Sequence, residues 1–352
     1  MVKEALERLR LRPFKELLGV DIGTTSIKLC VVKKGKDGLS LQKFAKKSYE
    51  KDLLRDGTIA DRAFVAGELK HLLREQEIKV SAAATALSSY TVITKKVTMP
   101  LLDEETLGKS IGLEVESVIP YPLRDIYYNY YVMGTEDDKE AMMNLLIVAA
   151  KKEIVDAYME VFRLAGLNLL ILDVDIFAMT NLIEHIYGSQ QFSVVAADIG
   201  ASVTNIAIVK NGAIEFTREI LIGGKYLTNE IAKTYNVSHD EAEEKKLSPD
   251  GDIGELVDEF IGNVSSEMNK TVNFYAATKP RDTVGKIYLT GGSSCLPGLK
   301  ERIENDTGIE VAFLDPSRCL APNVRGIGLA EVDHAFAPVA LYLSSRVSDL
   351  EP

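Results

Sequence analysis

Cysteine, histidine and positive charge are all scarce in this sequence, and each shortage removes a class of function. The three cysteines, Cys30, Cys295 and Cys319, are scattered and odd in number, two of them in apolar runs. That pattern carries neither a disulfide framework nor metal-ligand spacing, and it fits a reducing cytoplasm. The four histidines are equally dispersed with no HExxH-type pair, which argues against a zinc enzyme. Lysine and arginine number 41 against 52 aspartates and glutamates, a net charge of −11. With no basic groove the chain is not a general nucleic-acid binder, and broad electrostatic adhesion to an anionic membrane is disfavoured. No apolar run approaches the roughly 18 residues of a membrane span. What remains, 46% hydrophobic and 26% charged residues over 352 positions, is the composition of a soluble globular protein of two or three domains.

The stretch from Leu18 to Lys33, LGVDIGTTSIKLCVVK, organises the rest. Leu18, Val20 and Ile22 alternate before a short Gly/Thr/Ser turn, and Ile27, Leu29 and Val31 alternate after it, the pattern of two strands joined by a tight hairpin. Gly23 permits close approach by a ligand, and Thr24, Thr25 and Ser26 add hydroxyls beside outward-facing N–H groups. Such a concavity suits a phosphate, and Asp21 suits a metal ion carried by it. Alone, the stretch reads equally well as an ordinary hairpin with a polar tip. A second copy changes that. Asp198 to Lys210, DIGASVTNIAIVK, lies over Asp21 to Lys33 without a gap, 177 residues further on, with the acid, Gly200 and a hydroxyl (Ser202 over Thr25) repeated. Two homologous lobes, each placing a hairpin on one polyphosphate, account for this.

In chain order, residues 1–17 mix charge with Val2, Ala5, Leu6 and Leu9 on one helical face and lack the apolar core of a secretory signal. They read as an amphipathic leader, either loosely docked or touching a membrane surface or partner. A strand at Leu39–Phe44, a helix at Ala63–Gln76 and a small apolar strand at Val80–Leu87 complete half of an α/β lobe. Residues 90–168 then run strand, helix, strand, strand, helix, an α+β module set into that lobe, with Asp103 capping the first helix and Gly166 ending the second. Tyr121, Tyr127, Tyr128, Tyr130 and Tyr131 crowd one part of it; successive tyrosines on a strand point to both faces, so some face water or a partner. A helix from Asp175 crosses to the second lobe, where Gly223, Gly224 and Lys225 open a helix whose N–H groups are placed to face an anion. The helix carrying Glu243 and Lys246 reads by itself as a solvated charged face. A strand ending in Gly291, Gly292 and Ser293 before a helix forms a backbone shelf for a flat base and its ribose. A final apolar helix, Ala335–Arg346, returns to the first lobe after the glycine-containing segment 322–328.

The two hairpins and the glycine shelf, in this order, resemble the actin-like ATPase superfamily. The stretches ALSSYTVITKKVTMPLL, EVESVIPYPLRDI, LLIVAAKKEIVDAY and LNLLILDVDIFAMTNLIE resemble, more closely, the PilM family of type IV pilus assembly, over nearly the whole chain after about residue 17. The resemblance implies an actin-like two-lobed ATPase fold of α/β class, with duplicated RNase H-like lobes and a small inserted α+β (SHS2-type) module. It divides the chain into a leader (1–17), a first lobe (1A; 18–89 plus 315–352), the inserted module (1C; 90–168) and a second lobe (2A/2B; 169–314). It implies Mg–ATP in the cleft, held by Asp21, Gly23, Thr24, Thr25, Ser26 and Lys28 of the first hairpin and by Asp198, Gly200 and Ser202 of the second. Gly223, Gly224 and Lys225 would join them, with Glu243, Lys246, Gly291, Gly292 and Ser293 at the nucleoside. Asp21 and Asp198 would hold Mg²⁺ through water. Asp175, by position, would orient the water that attacks the γ-phosphate, with Asp173 or a structural cap as the competing reading. ATP hydrolysis is expected to be slow at most.

By the same resemblance the protein is cytoplasmic and peripheral to the inner membrane, held there by the cytoplasmic N-terminal peptide of a bitopic partner, PilN. The peptide would lie between the first lobe and the module. Contacts with other pilus platform or motor components and self-association are also implied, and nucleic acid is not a partner. The alternatives are a cell-division scaffold of FtsA type, which adds a linker and a C-terminal amphipathic helix where this sequence has only a few polar residues after Arg346, ending SDLEP, and a sugar or small-acid kinase.

Overall fold

The computed structural model describes residues 14–36, 38–136, 139–249, 251, 253–321, 335 and 337–350. Its first sheet begins with the expected hairpin, β1 (Glu16–Ile22) and β2 (Ser26–Gly35), followed by β3 (Gly38–Ser48). Two short strands, β4 (Leu54–Arg55) and β5 (Thr58–Ile59), lead to α1 (Arg62–Glu75), whose N-cap Asp61 accepts a hydrogen bond from Phe64 N–H, and then to β6 (Ala82–Leu87). The inserted segment comprises β7 (Val92–Pro100), α2 (Glu104–Val118), β8 (Ile126–Glu136) and β9 (Lys139–Lys151). After it come α3 (Lys152–Ala165), β10 (Asn168–Val174) and α4 (Asp175–Tyr187). The second half holds β11 (Ser193–Ile199), β12 (Thr204–Lys210), β13 (Ala213–Ile220), α5 (Gly224–Tyr235), α6 (His239–Leu247) and α7 (Ile253–Thr278). It closes with β14 (Val284–Thr290), α8 (Leu299–Thr307), β15 (Val311–Phe313) and α9 (Pro338–Ser345).

The duplication inferred from one repeated hairpin extends through both sheets. The first has strand order β10-β6-β1-β2-β3 and the second β13-β12-β11-β14-β15. Each is an antiparallel meander of three strands whose first strand pairs in parallel with a later one: β1 with β6, β11 with β14. Alternation within β1 sends Leu17 to one face and Leu18 and Val20 to the other. The face carrying Leu17, Cys30 and Val32 shares a core with Val194, Ala196, Ala207 and Val209 of the second sheet, with α4 and α9 between them. The opposite face packs on α1 and α3, and the outer face of the second sheet packs on α7 and α8. Two sheets bound through one helical layer leave an open cleft on the side where both hairpin tips point.

Four expectations are corrected. Glu16 and Leu17 belong to β1, because Leu17 is fully buried in the inter-sheet core; residues 1–13 of the expected leader lie outside the described residues. The inserted module ends at β9. Its three strands, ordered β7-β9-β8, and α2 share their own small core, whereas Tyr158, Val161 and Phe162 of α3 are fully buried in the first lobe's core beside α1. Burying side chains of this size stabilises by about 1.5–3 kcal/mol each, so α3 is an integral first-lobe helix and not the module's last element. Strand β10 also belongs to the first lobe, pairing with β6 along Asn168–Val174, so the lobe boundary at residue 169 moves to α4, the helix expected to make the crossing. Finally, α7 adds a helix to those read above; Ile253, Val257, Phe260, Ile261, Val264 and Met268 recur at helical spacing and are buried. The segment 322–328 lies outside the described residues. Among the described residues no helix is long and apolar enough to cross a membrane.

Candidate functional site

A cleft of about 980 Å³ separates the lobes, and both hairpins line it. The hairpin turns are built alike: Gly23 N–H donates to Ser26 O at 2.9 Å, and Gly200 N–H donates to Val203 O at 3.0 Å. From the first come Asp21, Gly23, Thr24, Thr25, Ser26 and Lys28; from the second, Asp198, Gly200 and Ser202. Asp21 and Lys28 face each other across β1 and β2, with Lys28 Nζ 2.8 Å from Asp21 Oδ2. Burial works against the Lys28 charge, but the Asp21 carboxylate, its hydrogen bond and nearby Asp198 outweigh that, and the ammonium is held above the usual lysine range.

The second hairpin is arranged differently. The residue facing Asp198 across β11 and β12 is Asn205, a cleft-lining side chain only 8% exposed whose Oδ1 has no hydrogen-bond partner among the described residues. Among the described residues Asp198 therefore has no direct counter-ion. Burial pushes its carboxyl up to about 6, with Lys28 opposing and Asp21 adding to the rise. Gly291 sits so close that a Cβ there would lie 2.2 Å from Asp198 Oδ1, and its φ of +87° is one that L side chains rarely adopt.

Asp175, in the first turn of α4, also lines the cleft. Its Oδ1 accepts from Ser89 N–H at 2.9 Å and from Ile176 N–H at 2.6 Å. Burial and the charge of Asp198 push it up to about 7 against those hydrogen bonds. Asp173, the competing residue, is engaged elsewhere: its carboxylate takes Arg346 Nη1 at 2.5 Å and Val174 N–H at 2.8 Å.

Gly224, Lys225, Glu243, Lys246, Gly291, Gly292 and Ser293 line the cleft as well. Lys246 is buried, with Nζ 2.7 Å from Glu243 and 2.9 Å from Thr228 Oγ1, so this helical face is not the solvated one its composition describes. The expectation for the glycine pair is corrected. Gly224 N–H donates to Gly200 O at 3.0 Å and Lys225 N–H to Ala201 O at 2.8 Å, so these groups bind the second hairpin and not an anion. Gly223 does not line the cleft; a Cβ on it would lie 2.4 Å from Ala201 O, and the pair serves to seat α5 on the hairpin. Lys225 Nζ instead reaches across to Asp52 of the first lobe, and Ser89 Oγ meets Glu219 Oε1 at 3.0 Å, two polar bridges between lobes.

Among the lining residues that the sequence reading did not assign to the site are Lys46, Asp52 and Asn205. Lys46 faces Lys28 across β2 and β3, and partial burial with the Lys28 charge lowers its ammonium to about 8. Asn205 was within reach of sequence alone, because it lies over Lys28 in the repeat. Asp52 carries no local signal. Among the described residues no group of three or more His, Cys, Asp or Glu is placed to hold a metal.

A family model described as type IV pilus assembly protein PilM matches residues 19–334. The chain belongs to the PilM family. A solved PilM–PilN type IV pilus biogenesis complex superposes with a TM-score of 0.84 at 25% identity, covering 97% of this chain and 100% of that one. MreB 5 of Spiroplasma citri bound to AMPPNP, 13% identical with a TM-score of 0.55 over 96% and 98% of the two chains, shares the actin-like fold. The cell division protein FtsA of Streptococcus pneumoniae serotype 2 (strain D39 / NCTC 7466) is 21% identical over 85% of this chain and 75% of its own. The family match over residues 19–334 and the fit to a solved PilM–PilN complex place the PilM reading ahead of the FtsA alternative.

Proposed function

We infer that this actin-like scaffold of type IV pilus assembly binds Mg–ATP between its lobes and holds the cytoplasmic N-terminal peptide of a bitopic PilN-type protein. Its membrane association would then be peripheral and indirect. The observation that carries the nucleotide half is the convergence of two copied hairpins, with Asp21, Lys28 and Asp198, on one cleft of about 980 Å³. Volume and lining both suit a nucleotide. The orphaned Asn205 Oδ1, the uncompensated Asp198 and the absence of a Cβ at Gly291 fit a phosphate-borne cation at the second hairpin. Bound Mg²⁺ would supply the charge that neutralises the phosphates. Lys28 would take a phosphate oxygen, the hydroxyls of Thr24, Thr25 and Ser26 would donate to others, and Glu243 and Lys246 would meet the nucleoside. Asp175 would orient water at the terminal phosphate.

The partner half rests on the module. Tyr130 packs in the small core with α2, while Tyr127 and Tyr131 project from the other face of the sheet, 46% and 69% exposed. Tyr127 OH donates to Asp156 Oδ1 of α3 at 3.3 Å, and Met159 of the same helix is exposed. Aromatic area backed by a first-lobe helix suits an extended peptide with apolar side chains. The test is a calorimetric titration of Mg–ATP into wild type and Asp198→Ala, followed by pull-down from detergent-solubilised membranes with the loaded protein. Unchanged affinity in the variant would remove the two-hairpin site, and recovery of a tubulin-like division protein in place of a bitopic one would overturn the pilus partner.

A further inference from the structure

The two hairpins share a backbone but offer opposite hydrogen-bonding chemistry to the cleft. Lys28 presents donors, 2.8 Å from Asp21. Asn205, at the copied position, belongs to the cleft lining and carries a buried acceptor that meets no donor among the described residues. Its cross-strand neighbour Asp198 is an acceptor as well, and Gly291 brings only backbone to their side. The phosphate oxygens of a nucleotide are acceptors at neutral pH, so they can complete Lys28 and cannot complete Asn205 Oδ1. Whatever completes Asn205 must donate. A hydrated divalent cation does so: Mg²⁺ keeps several waters, each a strong donor, and accepts one or two carboxylates nearby.

We propose that Asn205 is a positioning residue for the hydrated cation of Mg–ATP, its Oδ1 accepting a hydrogen bond from water of the hydration shell beside Asp198. The second hairpin then holds the metal, and the first, its own acid neutralised by Lys28, holds phosphate. This rests on the Mg–ATP reading of the cleft.

The test uses the full chain and compares ATP affinity by calorimetry with and without Mg²⁺, in wild type, Asn205→Leu and Asn205→Asp, with thermal unfolding of each ligand-free variant as a check on folding. Asn205→Leu is expected to lower affinity for Mg–ATP about tenfold while leaving metal-free ATP within about twofold. Asn205→Asp, two acceptors in the same volume, is expected to keep Mg–ATP affinity or raise it, and to make Tm respond to Mg²⁺ alone. Equal weakening of both ATP forms by Asn205→Leu, or no change in either, would overturn the inference. So would loss of Mg–ATP binding in Asn205→Asp, because it would mean that the amide nitrogen faces a phosphate. If the wild type binds no Mg–ATP, or Asp198→Ala binds it unchanged, the cleft reading itself falls and this inference falls with it.

Discussion

Across β1 and β2 the acid Asp21 faces a lysine, and across β11 and β12 the acid Asp198 faces an asparagine, at the same position of a gapless repeat. Register places both partners alike, so the difference lies wholly in side-chain chemistry. Asp21 spends its charge on Lys28 at 2.8 Å, whereas Asp198, with no ion pair among the described residues, feels the longer-range field of that same lysine and is pushed up to about 6 by burial. A duplicated fold can therefore specialise by one substitution opposite a retained acid, leaving one hairpin with its acid already neutralised and the other with its acid open to a cation.

The sharpest way to break this comparison is to remove the waiting acid. Asp198→Ala is expected to lower Mg–ATP affinity by about 100-fold in calorimetry, as loss of a group that orients the metal would. Gly291→Ala attacks the same point from the backbone, since its Cβ would lie 2.2 Å from Asp198 Oδ1. It should lose Mg–ATP binding and also destabilise the protein by about 2–4 kcal/mol in urea unfolding. Next in size is the ligand-free contrast between the partners. Lys28→Met strands Asp21 without its counter-ion and should cost about 3 kcal/mol. Asn205→Leu removes an already orphaned acceptor and should stay within about 1 kcal/mol of wild type. Equal costs would mean that the two hairpins are not specialised.

A smaller effect is set by protons. Asp175 and Asp198, at about 7 and 6, hold protons in the folded state more tightly than a free carboxyl does. Between about pH 4 and 7 the folded chain thus binds more protons than the unfolded one, and stability falls as pH rises. Ligand-free Tm should be higher at pH 5.5 than at pH 7.5, and Asp175→Asn should raise Tm at pH 7.5 by roughly 2–6 °C and reduce that slope. Mg²⁺ affinity should move the opposite way, falling as the pH drops below about 6 and Asp198 takes up a proton. The smallest effect on the cleft is expected from the module. Tyr131→Ala should leave ATP affinity within about twofold and stability within about 0.5 kcal/mol, while lowering partner-peptide affinity about tenfold.

Period-two alternation around a Gly/Thr/Ser turn, read twice, was enough to locate both hairpins, because each strand's two faces are set by local geometry. The caps at Asp103 and Gly166 were legible for the same reason: they satisfy helix ends within a few residues. The module's far boundary was not. Val155, Tyr158, Val161 and Phe162 announce an amphipathic helix, yet nothing in their spacing says whether that face meets the module's core or the first lobe's. The glycine pair at 223–224 misled in a related way, since a helix start rich in glycine serves an anion or a neighbouring backbone equally well, and here it serves Gly200 and Ala201.

The sequence by itself determined the duplicated α/β architecture, the two acids and the order of the cleft's components, all of which are marked by local alternation, turn residues and the repeat itself. Only the tertiary structure decided that Asp173 belongs to Arg346 and Asp175 to the cleft. It also buried Lys246 against Thr228 and matched Lys225 with Asp52 across the cleft. Each of those choices depends on which side chain from the other end of the chain arrives opposite, and so on packing between lobes, which no local pattern encodes.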